Sequence, residues 1–145
     1  MNQFEKDLEF GEGLERIVLE KIKVKYPQAY KIEGYCKEWD IYIPEKDIGV
    51  EVKGDRVSGK TGNVAIETSF NGKPSALTTT KATWWVYMTL EKLYWITPEA
   101  IKECVLIEGI EEKDFGPIGG DTVPKTMFLI KEETFAEYAS HIEKR

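Results

Sequence analysis

The chain is poor in the side chains on which much enzyme chemistry leans. It has one histidine, His141, and two cysteines, Cys36 and Cys104. A two-histidine zinc site is therefore excluded, and a Ser-His-Asp triad would have to run through His141, close to the C-terminal end. The cysteines lie far apart without Cys-x-x-Cys spacing. That speaks against a disulfide framework or a zinc knuckle and for small buried residues in a reducing compartment. No apolar run approaches the roughly 18 residues that span a bilayer. The opening "MNQFEKDLEF" has neither the basic flank nor the apolar core of a secretory signal. A cytoplasmic protein without membrane contact is the expectation. Repeats, low-complexity tracts and linkers are lacking as well, so residues 1–145 read as one domain. Whatever chemistry is present must rest on carboxylates and lysines.

Basic charge is also in short supply. The net charge is −6, which taken alone argues against a nucleic-acid partner. Its distribution is uneven. Between Lys53 and Lys81, five cations (Lys53, Arg56, Lys60, Lys73, Lys81) stand against two carboxylates (Asp55, Glu67), a local +3 that leaves −9 on the remainder. Residues 99–114 carry −4. One basic segment sits on an acidic body.

"GEGLERIVLEKIKVKY" spaces Leu14, Ile17, Val18 and Ile22 as an amphipathic helix that ends near Tyr26-Pro27. "YKIEGY", "WDIYI" and "IGVEVK" read as strands, and the turn residues of "PEKD" join the last two as an antiparallel hairpin. "NVAIETSF" is a further strand, ended by an Asn71-Gly72 turn. "KPSALTTTKAT" holds a short helix, and "WWVYMTL" and "LYWI" are apolar strands. "TPEAIKECVL" opens with Thr97 as N-cap and Pro98 at the first helical position. "KTMFLI" is a last strand and "EETFAEYASHIEKR" a closing helix. The expected class is α/β (α+β mixed): a mixed sheet with helices packed on it.

Alternation on the hairpin concentrates charge. Val50 and Val52 point one way and Glu51 and Lys53 the other, while Asp40 can lie beside Glu51. Two carboxylates with an ammonium nearby suit Mg²⁺, with the lysine placed to position a water or to stabilise charge on a phosphate. Glu-x-Lys is equally the ordinary pattern of a solvent-facing pleat, and an ion pair on a strand face accounts for it without chemistry.

Helix with a glutamate, strand, Asp, hairpin and Glu-x-Lys together resemble the PD-(D/E)xK nuclease superfamily, the restriction-endonuclease-like fold shared with archaeal-type Holliday junction resolvases. The pieces are Glu15, Asp40, Glu51 and Lys53, within residues 10–55. Trp39 stands where the signature has proline. "GEGLERIV" looks like the N-terminal helix of the small resolvases, which places Glu15 in the site with Glu12 as rival. "GNVAIETSFNGKPSALTTTKATWWVYM" is similar to the segment after the core motif in small phage-encoded endonucleases. The resemblance implies that Asp40, Glu51 and the Val52 backbone carbonyl hold Mg²⁺, with Mn²⁺ as substitute. It further implies that Lys53 orients the attacking water, that Glu15 supports the metal, and that the product is a 5′-phosphate and a 3′-hydroxyl. DNA, duplex or branched, is the implied partner, and two sites for two strands imply a homodimer.

Around that core, Arg56, Lys60, Lys73 and Lys81 are candidate phosphate contacts, helped by Thr78, Thr79 and Thr80; surface loops and helix ends carry such residues without function too. Glu67 is either an extra carboxylate for the site or an exposed strand residue. Trp84, Trp85, Trp95 and Tyr87 could stack on unpaired bases, but in apolar strands they read first as core. The adjacent Trp84 and Trp85 must face opposite sides of their sheet. "SGKTG" lacks the spacing of a phosphate loop. A nuclease-fold module without activity, binding DNA or protein, is the alternative to an endonuclease.

Overall fold

The computed structural model describes residues 2–34, 38–54, 61–116 and 123–145. The first helix, α1 (Gln3–Lys25), is capped by Asn2, whose side chain accepts from the Glu5 N–H. It closes at Tyr26, ahead of Pro27, whose ring cannot continue a helix. Two short strands follow, β1 (Tyr30–Lys31) and β2 (Ile41–Ile43), then β3 (Ile48–Gly54). β2 and β3 form the expected antiparallel hairpin, with Ile41 opposite Val50 and Ile43 opposite Ile48. The chain continues through β4 (Asn63–Phe70), β5 (Lys73–Pro74) and a single 3-10 turn (Ala76–Thr78) to β6 (Trp84–Met88) and β7 (Lys92–Ile96). Next come α2 (Pro98–Ile107), β8 (Lys113–Phe115), β9 (Lys125–Lys131), α3 (Glu132–Tyr138) and β10 (His141–Lys144). Thr97 caps α2 by accepting from Ala100 N–H, and Asn71 and Gly72 turn the β4–β5 hairpin with φ of 52° and 78°, the pair of positive values that Asn-Gly tolerates.

The strands make two sheets. One has six strands in the order β1-β2-β3-β6-β7-β10, mixed because β3 and β6 run parallel. The other is antiparallel, in the order β5-β4-β9-β8. The expectation of a mixed sheet with helices packed on it is met, and on one side a second sheet joins the helices. Leu14, Val18 and Ile22 of α1 pack with Ile41, Val50, Val52, Val86 and Met88 on one face. On the other, Trp85, Tyr87, Tyr94 and Ile96 meet Val64, Ile66 and Ile130 of the second sheet, Ile101 and Cys104 of α2, and Phe135 of α3. Trp84 and Trp85 do belong to opposite faces.

The closing helix is shorter than its sequence pattern. α3 stops at Tyr138, Ala139 turns extended, and β10 adds to the edge of β7 with His141 opposite Trp95. Pairing that edge satisfies backbone groups that a longer helix would have left facing water. Among the described residues, no helix is long and apolar enough to cross a membrane.

Candidate functional site

Asp40 sits just before β2 and is 4% exposed. Its backbone N–H donates to the Val50 carbonyl at 3.0 Å, which extends the hairpin by one residue. Its side-chain Oδ2 accepts the Val52 N–H at 2.7 Å, a bond that the ladder would have supplied had β2 started earlier. In an antiparallel pair a residue's N–H and C=O point to the same side. The Val52 carbonyl therefore also faces the side of Asp40, beyond the start of β2.

Glu51 leaves β3 on the same face as Asp40, opposite to α1. Its carboxyl is pushed up to about 7, first by burial, then by the adjacent Asp40, with Lys53 pulling the other way. Lys53 Nζ is 3.5 Å from Glu51 Oε1 and half-exposed, and it also lies over the Trp85 ring, 5.9 Å from its centre. Two carboxylates and an ammonium thus share one half-buried spot, and a carboxyl that ionises near neutrality marks first the cost of burying its charge and then that of the second carboxylate beside it.

The spot opens into a cavity of about 330 Å³ lined by Glu51, Lys53, Ala76, Thr79, Thr80, Lys81 and Glu38. A second, of about 190 Å³, adjoins it at Lys53 and Ala76 and reaches Glu67, Tyr87 and Met127. The 3-10 turn is what brings the threonines here. Thr78 Oγ1 donates to the Thr68 carbonyl at 2.8 Å, which ties the turn to β4. Thr80 Oγ1 accepts from the Trp85 indole N–H at 3.0 Å, which ties it to β6. Ala76 takes a φ of 45° at the turn's start, at the border of both cavities. A non-glycine residue in that region is strained, and such strain is found where a backbone position is dictated by its surroundings.

The other candidates fall into place unevenly. Glu15 Oε2 is 3.3 Å from Lys31 Nζ of β1, on the helix that packs against the Val50–Val52 face, and Glu12 is exposed. Glu67 is half-buried and accepts from Ser75 Oγ at 2.8 Å. Lys81 is exposed and 3.7 Å from Glu38. Lys73 is exposed on β5. Arg56, Lys60 and Cys36 lie outside the described residues. Trp85 and Tyr87 are buried core residues, as their apolar strands imply, while Trp84 and Trp95 are only half-buried. Among the described residues no three His, Cys, Asp or Glu side chains are grouped closely enough to hold a metal together. Asp40 and Glu51 with the Val52 carbonyl nonetheless offer hard oxygen donors, the type that Mg²⁺ takes.

Fold and site together define a mixed α/β protein in which Glu51 and Lys53 line a cavity beside the parallel strand pair, with Asp40 buried behind Glu51. Comparison with known protein families, with curated proteins and with solved structures returns no match.

Two residues have packing roles here that sequence reasoning did not read. Trp39 stacks on Tyr42 with ring centres 5.9 Å apart and covers Gly49, where an added Cβ would come within 2.1 Å of the indole. Ala76 is the other. A glycine inside a strand, ten residues after a tryptophan, was a usable signal for the first; the second had none.

Proposed function

We propose that the chain is a divalent-metal-dependent DNA endonuclease of PD-(D/E)xK type. The observation that carries the reading is the Glu51 carboxyl, raised to about 7 beside the buried Asp40 with Lys53 at 3.5 Å. Such a pair is relieved either by a proton or by a cation. Asp40, Glu51 and the Val52 carbonyl would hold Mg²⁺ or Mn²⁺, which supplies Lewis-acid stabilisation of the phosphate undergoing in-line attack. Asp40 is fixed for this by its bond from Val52 N–H. Lys53, 3.5 Å from Glu51, would orient the water or a phosphate oxygen. Thr79, Thr80 and Lys81 line the cavity on the side where the DNA backbone would enter, and Lys73, Arg56 and Lys60 extend the basic segment. Glu15, the helix carboxylate of this reading, also ties β1 to α1 through Lys31 at 3.3 Å. Two strands would need two sites, hence a homodimer, acting in the cytoplasm.

A second reading has one observation in its favour. Lys53 already pairs with Glu51, so the charges have a partner without metal or substrate. The chain would then be a non-catalytic interaction module. Incubation with supercoiled plasmid and a synthetic four-way junction in Mg²⁺, Mn²⁺ and EDTA separates the two. Metal-dependent cutting, reduced at least about 100-fold in Glu51→Ala, is the expected result. Folded wild-type protein that cuts neither substrate in either metal overturns the nuclease reading.

A further inference from the structure

On the opposite face of the six-stranded sheet, away from Glu51, a cleft of about 510 Å³ lies between the C-terminal half of α1 and the ends of β3, β6 and β7. We propose that it is a binding site for a planar aromatic anion of the nucleoside monophosphate class. This inference does not rest on the nuclease reading, since none of its residues belongs to that site.

The walls supply the first half of the case. Trp84 and Trp95 stand edge to face with ring centres 6.4 Å apart, and both are half-buried, so part of each indole is presented to the cleft. Tyr26 adds a third ring. The Trp95 ring is held in place because its N–H donates to Glu143 Oε1 at 3.1 Å. A fixed indole loses little freedom when a base stacks on it, and stacking on such a ring is tolerant of base identity.

Charge supplies the second half. Lys21, Lys25 and Lys46 line the cleft against a single carboxylate, Glu143. That carboxylate is already engaged, by the Trp95 indole N–H and by Lys21 Nζ at 3.9 Å. Lys25 and Lys46 are exposed at the rim. An acidic protein that gathers three lysines around an aromatic cleft presents complementarity to an anion with a flat ring. The volume is that of a small-molecule pocket. An extended peptide fits less well. β3, β6 and β7 each have a strand on both sides, and the one edge strand at the cleft, β10, contributes side chains to it, His141 and Glu143, where a peptide pairing with that edge would lie beside the rings and not on them.

His141, the chain's one histidine, lines the same cleft and gives a resolved proton resonance without assignment work. The test is titration of the full chain with adenosine 5′-monophosphate, with adenosine, inorganic phosphate and a short oligodeoxynucleotide as comparisons, following the His141 ring protons by NMR. The expected result is a saturable shift with the monophosphate, of Kd below about 1 mM. Adenosine should bind about tenfold more weakly, and the double variant Lys25→Glu/Lys46→Glu, changed only at exposed rim positions, at least about tenfold more weakly. The proposal is overturned by an unmoved His141 resonance, by an equal shift with inorganic phosphate alone, or by unchanged affinity in the double variant. Tighter binding of the oligodeoxynucleotide than of the monophosphate would assign the cleft to a nucleic-acid strand and overturn it as well.

Discussion

Val50 and Val52 leave β3 toward α1, while Glu51 and Lys53, their chain neighbours, leave it toward the second sheet. On the α1 side the strand joins an apolar cluster: Leu14 and Val18 of α1 pack over it beside Ile41, Val86 and Met88 of the neighbouring strands. Across the strand, one pleat away, an aspartate is buried, a glutamate keeps its proton to about neutrality and a lysine reaches into a cavity. The same backbone serves both. Its regular pairing with β6, from Val50 opposite Trp84 to Gly54 opposite Met88, makes the apolar side rigid. The missing β2 partner beyond Asp40 gives the polar side its opening. The difference teaches that the dry face is there to hold the charged one: a carboxylate pair is kept at close range only if the strand beneath cannot yield.

The largest effect should come from exchanging the two sides. Val50→Asp puts an unpaired carboxylate among fully buried apolar groups and should cost about 4 kcal/mol or more, a large part of the stability of an ordinary domain. Glu51→Leu, one residue on, should change urea-unfolding stability by no more than about 1 kcal/mol. Equal losses for the two would show that the faces do not differ as described.

A smaller effect has a sign that distinguishes the faces further. Glu51 ionises near 4.5 when unfolded and near 7 when folded. The folded state therefore binds the proton more tightly. The stability that this group contributes is complete below about pH 4.5 and is lost as pH rises through about 7. Without metal, wild-type protein should lose stability across that window. Glu51→Gln, which cannot ionise, should lack the slope and be the more stable form at pH 8, by about 1–3 kcal/mol. Urea denaturation at pH 5.5 and pH 8 in EDTA reads both, and a wild-type profile parallel to that of Glu51→Gln would remove the reason for reading a cation site here.

A comparable effect is expected from a pair of glycine changes on the same strand. Gly49→Ala drives a Cβ into the rigid Trp39 ring, and Gly54→Ala drives one toward Cδ1 of Leu14, each at 2.1 Å before relaxation. An indole stacked on Tyr42 cannot step aside as a leucine methyl can. Gly49→Ala should cost about 1–3 kcal/mol and Gly54→Ala less. Thermal unfolding of both checks the order.

Much of the polar face was legible in the sequence because it depends on local rules. Strand alternation separates Val50 from Glu51, the turn residues between Ile43 and Ile48 set the hairpin register, and that register brings Asp40 beside Glu51. The Asn71-Gly72 turn and the Thr97 cap were likewise local. What was not legible depends on partners distant in the chain. Glu15 has the spacing of a site residue on its helix, but which strand side chain it meets is decided by how α1 lies on the sheet, and there it meets Lys31. "SHIEKR" has the composition of a helix end, yet it becomes β10 because β7 has an edge to pair. The second sheet joins β4 to β9 across a long stretch of the chain, and no local pattern announces it. The cleft at Trp84 and Trp95 was hidden for the same reason, since two tryptophans in apolar strands read as core until α1 leaves part of each uncovered.

The most direct test is calorimetric titration of Mg²⁺ into the metal-free protein at pH 7, in two buffers of different ionisation enthalpy, beside Glu51→Gln. If Asp40 and Glu51 form a cation site, binding should release a substantial fraction of one proton per site, because Glu51 must give up the proton it holds at that pH. Both the binding and the buffer dependence should vanish in the variant. Absence of Mg²⁺ binding in the wild type, or binding that persists in Glu51→Gln with no proton release, would contradict the assignment and leave Glu51 and Lys53 as an ion pair on a strand.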